Sequence, residues 1–143
     1  MGNNIVDDFE IFYEQLDKQN LSLSALKGIY HDDIVFEDCF HHIDGISDMF
    51  AYFENLYENI SFIHFDFEKQ WMNEEGAMLT WTMSYQHPKL NSGHVIEVQG
   101  ASHLTICDEK IIRHKDYFDG GALLYEHIPV LKRVIYFLKN RLA

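Results

Sequence analysis

The sequence predicts an α+β domain: a cone-like, curved antiparallel sheet covered by three N-terminal helices, with an additional C-terminal helix. Three observations carry this expectation. Apolar residues recur at helical spacing up to about residue 60, and at every second position after it. The links between the later segments are short, as in an antiparallel meander. The chain has 143 residues, 47% of them hydrophobic. That suffices for one real core and not for two, so residues 1–143 are read as a single domain.

The elements follow in order. Residues 5–18 are helical, with Ile5, Phe9, Phe12, Tyr13 and Leu16 on one stripe and Asp7, Asp8 and Glu10 in the first turn, where the helix dipole favours acids. Ser22 caps a second helix over residues 23–30, with Leu23, Leu26 and Tyr30 inside. Residues 34–37 form a short strand. Gly45 marks a turn, and Ser47 with Asp48 opens a third helix with Met49, Phe53, Leu56 and Tyr57 on its inner face.

Residues 61–72, 77–87, 94–107 and 110–118 read as strands rich in β-branched and aromatic residues. On the second of these, Leu79, Trp81, Met83 and Tyr85 should face the helices. On the third, Ile96, Val98, Gly100, Ser102, Leu104 and Ile106 should do so. On the last, Ile112, His114, Asp116 and Phe118 share one face and Arg113, Lys115 and Tyr117 the other. An Ile/Phe-flanked His-x-Asp pair suits a pocket wall. A slip of one residue would instead turn the cationic set inward and suit an anionic ligand. A last helix begins near Pro129 and carries Lys132, Arg133, Lys139 and Arg141. It is expected to pack on its own domain or on a dimer mate. Helices that cover one face of a curved sheet leave a pocket between the layers, open at one end.

Composition excludes some functions. Acidic residues outnumber basic ones 23 to 11, for a formal charge of −12, which repels nucleic-acid phosphates and anionic membranes. No apolar run approaches the roughly 18 residues of a membrane span. The acidic stretch at residues 1–12 does not read as a secretory leader, and a cytoplasmic protein is expected. Cys39 and Cys107 match no zinc or redox spacing and are expected as reduced, buried thiols. The nine histidines show no metal-site spacing, so no metal is expected. No phosphate loop or nicotinamide fingerprint occurs, so no cofactor is implied.

Three segments stand out as motifs: Tyr30-His31-Asp32-Asp33-Ile34-Val35-Phe36-Glu37-Asp38, then Gly45-Ile46, then Ile111-Ile112-Arg113-His114-Lys115-Asp116-Tyr117-Phe118-Asp119. In this order, over residues 5–120, the chain resembles the nuclear transport factor 2-like superfamily, in its SnoaL-like and ketosteroid-isomerase-like branch. Cys39 stands where that family usually has proline, and the last helix extends beyond the shorter members. The resemblance implies one of two functions. The first is a cofactor-independent acid/base enzyme, an isomerase, cyclase or related, acting on a small apolar carbonyl-bearing molecule. The second is a non-catalytic small-molecule-binding or accessory protein on the same fold. It also implies a homodimer through the outer sheet face.

The resemblance implies site residues as well. Asp38 falls at the isomerase base, and desolvation at a pocket wall tunes a carboxylate toward proton transfer. The alternative is an Asp that closes a turn. Tyr13 falls at the isomerase phenol that donates to the developing oxyanion; the alternative is an ordinary core tyrosine. Ser102 stands where the isomerases have a protonated Asp. Gly100 and Ser102 stand where the limonene-type epoxide hydrolases have Arg and Asp, so neither steroid isomerisation specifically nor that epoxide chemistry is expected. Asp116 falls near the general acid/base of the SnoaL-like cyclases, with His114 tuning its charge; the alternative is a strand-end ion pair. Asp38, Asp116 and Tyr13 are therefore the catalytic candidates. Ser102, His114, Trp81, Phe118 and Phe53 are the candidates for substrate contact.

Overall fold

The structure, a computed structural model, describes residues 4–142. The first three residues of the acidic N-terminal stretch, and Ala143, lie outside the described residues. Helix α1 (Ile5–Gln15) is capped by Asn4, whose side chain accepts from the Asp7 N–H. It ends three residues earlier than its spacing suggests, because Asp17 and Asn20 bond each other's backbone in a turn. Helix α2 (Leu23–Ile29) is capped by Ser22. Strand β1 (Tyr30–Glu37) follows without a break. Tyr30 is thus a strand residue and not the last turn of α2.

A three-residue strand β2 (His42–Asp44), absent from the sequence reading, pairs with β1. Gly45, at φ +88°, then caps α3 (Ile46–Asn59) in a backbone region that side-chain-bearing residues rarely adopt. Strands β3 (Phe62–Met72), β4 (Gly76–Gln86), β5 (Ile96–Cys107) and β6 (Lys110–Phe118) form the expected meander. A two-residue turn, Asp108-Glu109 with positive φ at both, joins β5 to β6.

The sheet is curved and unclosed, with strand order β2-β1-β6-β5-β4-β3. β1 runs parallel to β6, so the sheet is mostly and not wholly antiparallel. No hairpin constrains that pair: α3 and four strands separate them in the chain. The helices cover one face. Val6 and Phe9 of α1, Leu26 of α2, and Met49 and Phe53 of α3 pack with Ile34, Leu79, Leu104 and Ile111 into one core. Leu79, Trp81, Met83 and Tyr85 all point inward, as period two requires.

In β6 the inward set is His114, Asp116 and Phe118, and Arg113, Lys115 and Tyr117 are exposed, which rules out the slipped register. One position is corrected. Ile111, not Ile112, is fully buried. The pairing jumps from Thr105–Arg113 to Ile106–Ile111, so Ile112 is the extra residue of a β-bulge.

A short helix α4 (Gly120–Leu123), capped by Asp119, precedes α5 (Pro129–Leu142). Of the two packings expected of α5, on its own domain or on a dimer mate, the first is not seen: none of its described residues is buried within the chain and Val130 is 73% exposed. It leans on the turn at Tyr125–His127, where Lys139 pairs with Glu126 at 2.8 Å. Cys39 and Cys107 are free and exposed, not buried; one sits in a turn and the other at a strand end, where the chain meets solvent. No helix among the described residues is long and apolar enough to cross a membrane.

Candidate functional site

The layers enclose a cavity of about 370 Å³. Its wall is largely aromatic: Phe36, Phe40, Tyr52, Phe53, Phe65, Trp81 and Phe118 all line it. The polar exceptions include Tyr13 from α1, Asp38 and His41 from the turn after β1, and Asp116 from β6. No Lys or Arg is among the lining residues. Two carboxylates in an aromatic wall without a balancing cation disfavour an anionic ligand.

Asp38 is held by its own neighbourhood. Its Oδ1 accepts the backbone N–H groups of Phe40 at 2.8 Å and His41 at 2.7 Å, and lies 3.2 Å from His41 Nδ1. The side chain is 7% exposed. The turn-closing role and the cavity-wall position are therefore both realised by one residue.

Asp116 is held from across the fold. Its Oδ1 accepts the Ser102 hydroxyl at 2.6 Å and lies 2.7 Å from His114 Nε2. Ser102 in turn accepts the Trp81 indole N–H at 2.9 Å. His114 Nδ1 lies 2.8 Å from the Tyr30 hydroxyl, which lies 2.6 Å from that of Tyr13. A continuous hydrogen-bonded chain thus links Tyr13, Tyr30, His114 and Asp116, with Ser102 and Trp81 as a branch. No fully buried side-chain polar atom among the described residues lacks a partner. Asp116 Oδ2 has no hydrogen-bond partner among the described residues, and the side chain, 18% exposed, lines the cavity.

Burial pushes the Tyr13 and Tyr30 phenols well above the usual range, and for Tyr13 the neighbouring Tyr30 adds to it. Tyr52 is raised by burial and then by the charges of Asp38 and Asp116, so both carboxylates act on one phenol. Tyr85 is pushed up to about 12 by burial. All four therefore stay protonated at neutral pH. The described residues contain no group of three or more His, Cys, Asp or Glu that could hold a metal ion.

The SnoaL-like domain profile matches residues 9–114, about three quarters of the chain. The chain belongs to the SnoaL-like domain family. Within the nuclear transport factor 2-like superfamily, this SnoaL-like domain is similar to several solved structures. A proposed SnoaL-like polyketide cyclase of Jannaschia sp. CCS1 has TM-score 0.73 at 14% identity, covering 87% of this chain and 90% of that one. A protein of Catenulispora acidiphila with a ketosteroid isomerase-like fold, in complex with trimethylamine, has TM-score 0.72 at 14% identity and 89% and 94% coverage. An LEH-like epoxide hydrolase of M. tuberculosis has TM-score 0.67 at 16% identity and covers 96% of each chain. At these identities the likeness shows the fold. No curated protein matches the sequence.

In the SnoaL-like domain, Tyr13, Asp38, Phe53, Trp81, Asp116 and Phe118 all line one cavity. Ser102 and His114 do not reach it. Both are 2% exposed and stand behind Asp116, with the Ser102 hydrogen spent on that carboxylate. Sequence reasoning missed Tyr30 as a site residue. Its signal is the aromatic residue that opens the Tyr30-His31-Asp32-Asp33 motif. Gly100 also has a role that was not foreseen: the Trp81 ring lies over it, and a Cβ there would stand 2.4 Å from the indole.

Proposed function

We propose that this SnoaL-like domain is a cofactor-independent acid/base enzyme, an isomerase, cyclase or related, acting on a small, largely apolar, carbonyl-bearing molecule. The observation that carries the reading is Asp116. Ser102 and His114 fix one of its oxygens, which leaves the other free to take a proton next to a substrate carbonyl and return it elsewhere. Tyr13 and Asp38 line the same cavity, which supports a phenol and a second carboxylate as further contacts to the substrate. The aromatic wall excludes water and holds a planar or alicyclic body. Neighbours on this fold include a proposed polyketide cyclase and an epoxide hydrolase, which supports chemistry of this general kind on the scaffold.

A second reading, a non-catalytic binding or accessory protein, is favoured by Asp38, whose bonds account for its presence without chemistry. The test is native mass spectrometry of the purified protein for a retained ligand, followed by Asp116→Asn and Asp38→Asn. Loss of ligand turnover with retained binding in Asp116→Asn supports the enzyme. A ligand that binds unchanged and is never converted supports the second reading. We also propose a homodimer through the outer sheet face, where Thr80, Thr82 and Ser84 are half-buried and Tyr117 is exposed; sedimentation velocity tests it. The free cysteines suit a reducing cytoplasm.

A further inference from the structure

The hydrogen-bonded chain behind the cavity has a direction, and the His114 imidazole sets it. An ionised carboxylate only accepts, so at 2.7 Å from Asp116 Oδ1 the His114 Nε2 carries the hydrogen. A neutral imidazole has one N–H, so Nδ1 must accept, and the Tyr30 hydroxyl at 2.8 Å donates to it. Tyr30 has then used its only hydrogen. Its oxygen accepts from Tyr13 at 2.6 Å. All three hydrogens point toward Asp116, which leaves the oxygen of Tyr13, a cavity-lining residue, with lone pairs only.

A second proton on the imidazole reverses every link. Nδ1–H then donates to Tyr30, Tyr30 donates to Tyr13, and the Tyr13 hydrogen turns outward to the cavity. The rings packed on the imidazole are those of Phe9, Tyr13, Tyr30 and Phe36. Its titratable neighbours are therefore Tyr13, Tyr30 and Asp116, with Tyr57 next beyond them. Asp116 alone carries charge, and it lies against the opposite ring nitrogen from Tyr30.

We infer that Tyr30 and His114 are positioning residues that decide whether Tyr13 accepts or donates at the cavity wall. With the imidazole neutral, that wall takes a hydroxyl donor, such as a phenol or enol, in preference to its oxyanion. The inference rests on the reading of this cavity as the ligand site, and it refines the substrate class to molecules that present a hydroxyl form.

Two measurements test it. Long-range proton–nitrogen NMR of the full chain at neutral pH, with the His114 signals assigned by their loss in His114→Gln, should show the hydrogen on Nε2 and a bare Nδ1. A hydrogen on Nδ1 overturns the inference, and this result needs no bound ligand and no substitution in the sample measured. The second uses 4-nitrophenol, whose ionised form absorbs separately from the neutral one. In Tyr30→Phe the Tyr13 hydrogen is released toward the cavity while Asp38 and Asp116 are untouched. The ratio of phenolate to phenol affinity should rise about tenfold, the worth of one hydrogen bond to a charged group. An unchanged ratio in a variant with native circular dichroism overturns the inference and leaves the cavity reading standing. Failure of 4-nitrophenol to bind at all sinks the cavity reading, and the NMR result alone then decides the polarity.

Discussion

Two regions of the cavity wall each present a carboxylate, and they hold it by opposite means. Around Asp38 the restraint is local: two backbone N–H groups and His41, all within three residues, fix Oδ1. Around Asp116 the restraint is assembled from α1, β1, β4 and β5, and one link joins residues 84 apart in sequence. A locally held carboxylate survives rearrangement elsewhere. One held by a distributed network depends on every layer of the fold being in place, and it reports on all of them.

The sharpest way to break the comparison is to neutralise each carboxylate in turn. Asp116→Asn should lower turnover of an identified ligand by about 100-fold or more, and Asp38→Asn by clearly less. Equal losses, read from single-turnover rates, would mean that the two regions share the work. Next in size is Gly100→Ala. The added methyl meets the Trp81 indole, and displacing that ring strips Ser102 of its donor. We expect about 1–3 kcal/mol of lost stability in urea unfolding, with a shifted tryptophan emission, while the Asp38 turn stays intact. Asp38→Ala removes the local bonds and should cost about 1 kcal/mol. Asp38→Asn keeps the Oδ1 acceptor and should recover most of that.

The smallest effect at ordinary pH comes from the phenols. Tyr13, Tyr30 and Tyr52 have folded values above that of an unfolded phenol, about 10. Their stabilisation is therefore complete below pH 10. It is lost as pH rises further, because the unfolded chain then sheds protons that the folded one keeps. For Tyr85 the window lies between about 10 and about 12. Absorbance near 295 nm should show these tyrosines ionising together with unfolding and not before it. Early ionisation of Tyr13 or Tyr30 would show that water reaches the network.

Legibility in the sequence followed the same division. The Asp38 turn lies in one short motif, and period two alone brings His114, Asp116 and Phe118 to one face. Trp81 and Phe53 follow from the bulky-in pattern of their elements. Tyr30 escaped because it sits where α2 passes into β1, so helical spacing and strand alternation both claim it. Its partners are Tyr13 and His114, 17 and 84 residues away, and no local rule joins them. β2 escaped because three residues are too few to show alternation. α4 escaped because its Gly-Gly start is a poor helix former, rescued by the Asp119 cap. Ser102 was placed on the correct face. Its commitment to Asp116 could not be seen without the neighbouring strand.

The bulge at Ile112 divides β6 into two registers of opposite phase. Before it, odd-numbered Ile111 is buried; after it, even-numbered His114 and Asp116 face inward. A saturation scan of the strand should therefore show tolerance to substitution alternating in one phase up to Ile112 and in the other beyond it. Deleting Ile112 would bring the two halves into step. Straightening the strand with Ile112 retained would instead cost it either its anchor in the core or its place on the cavity wall.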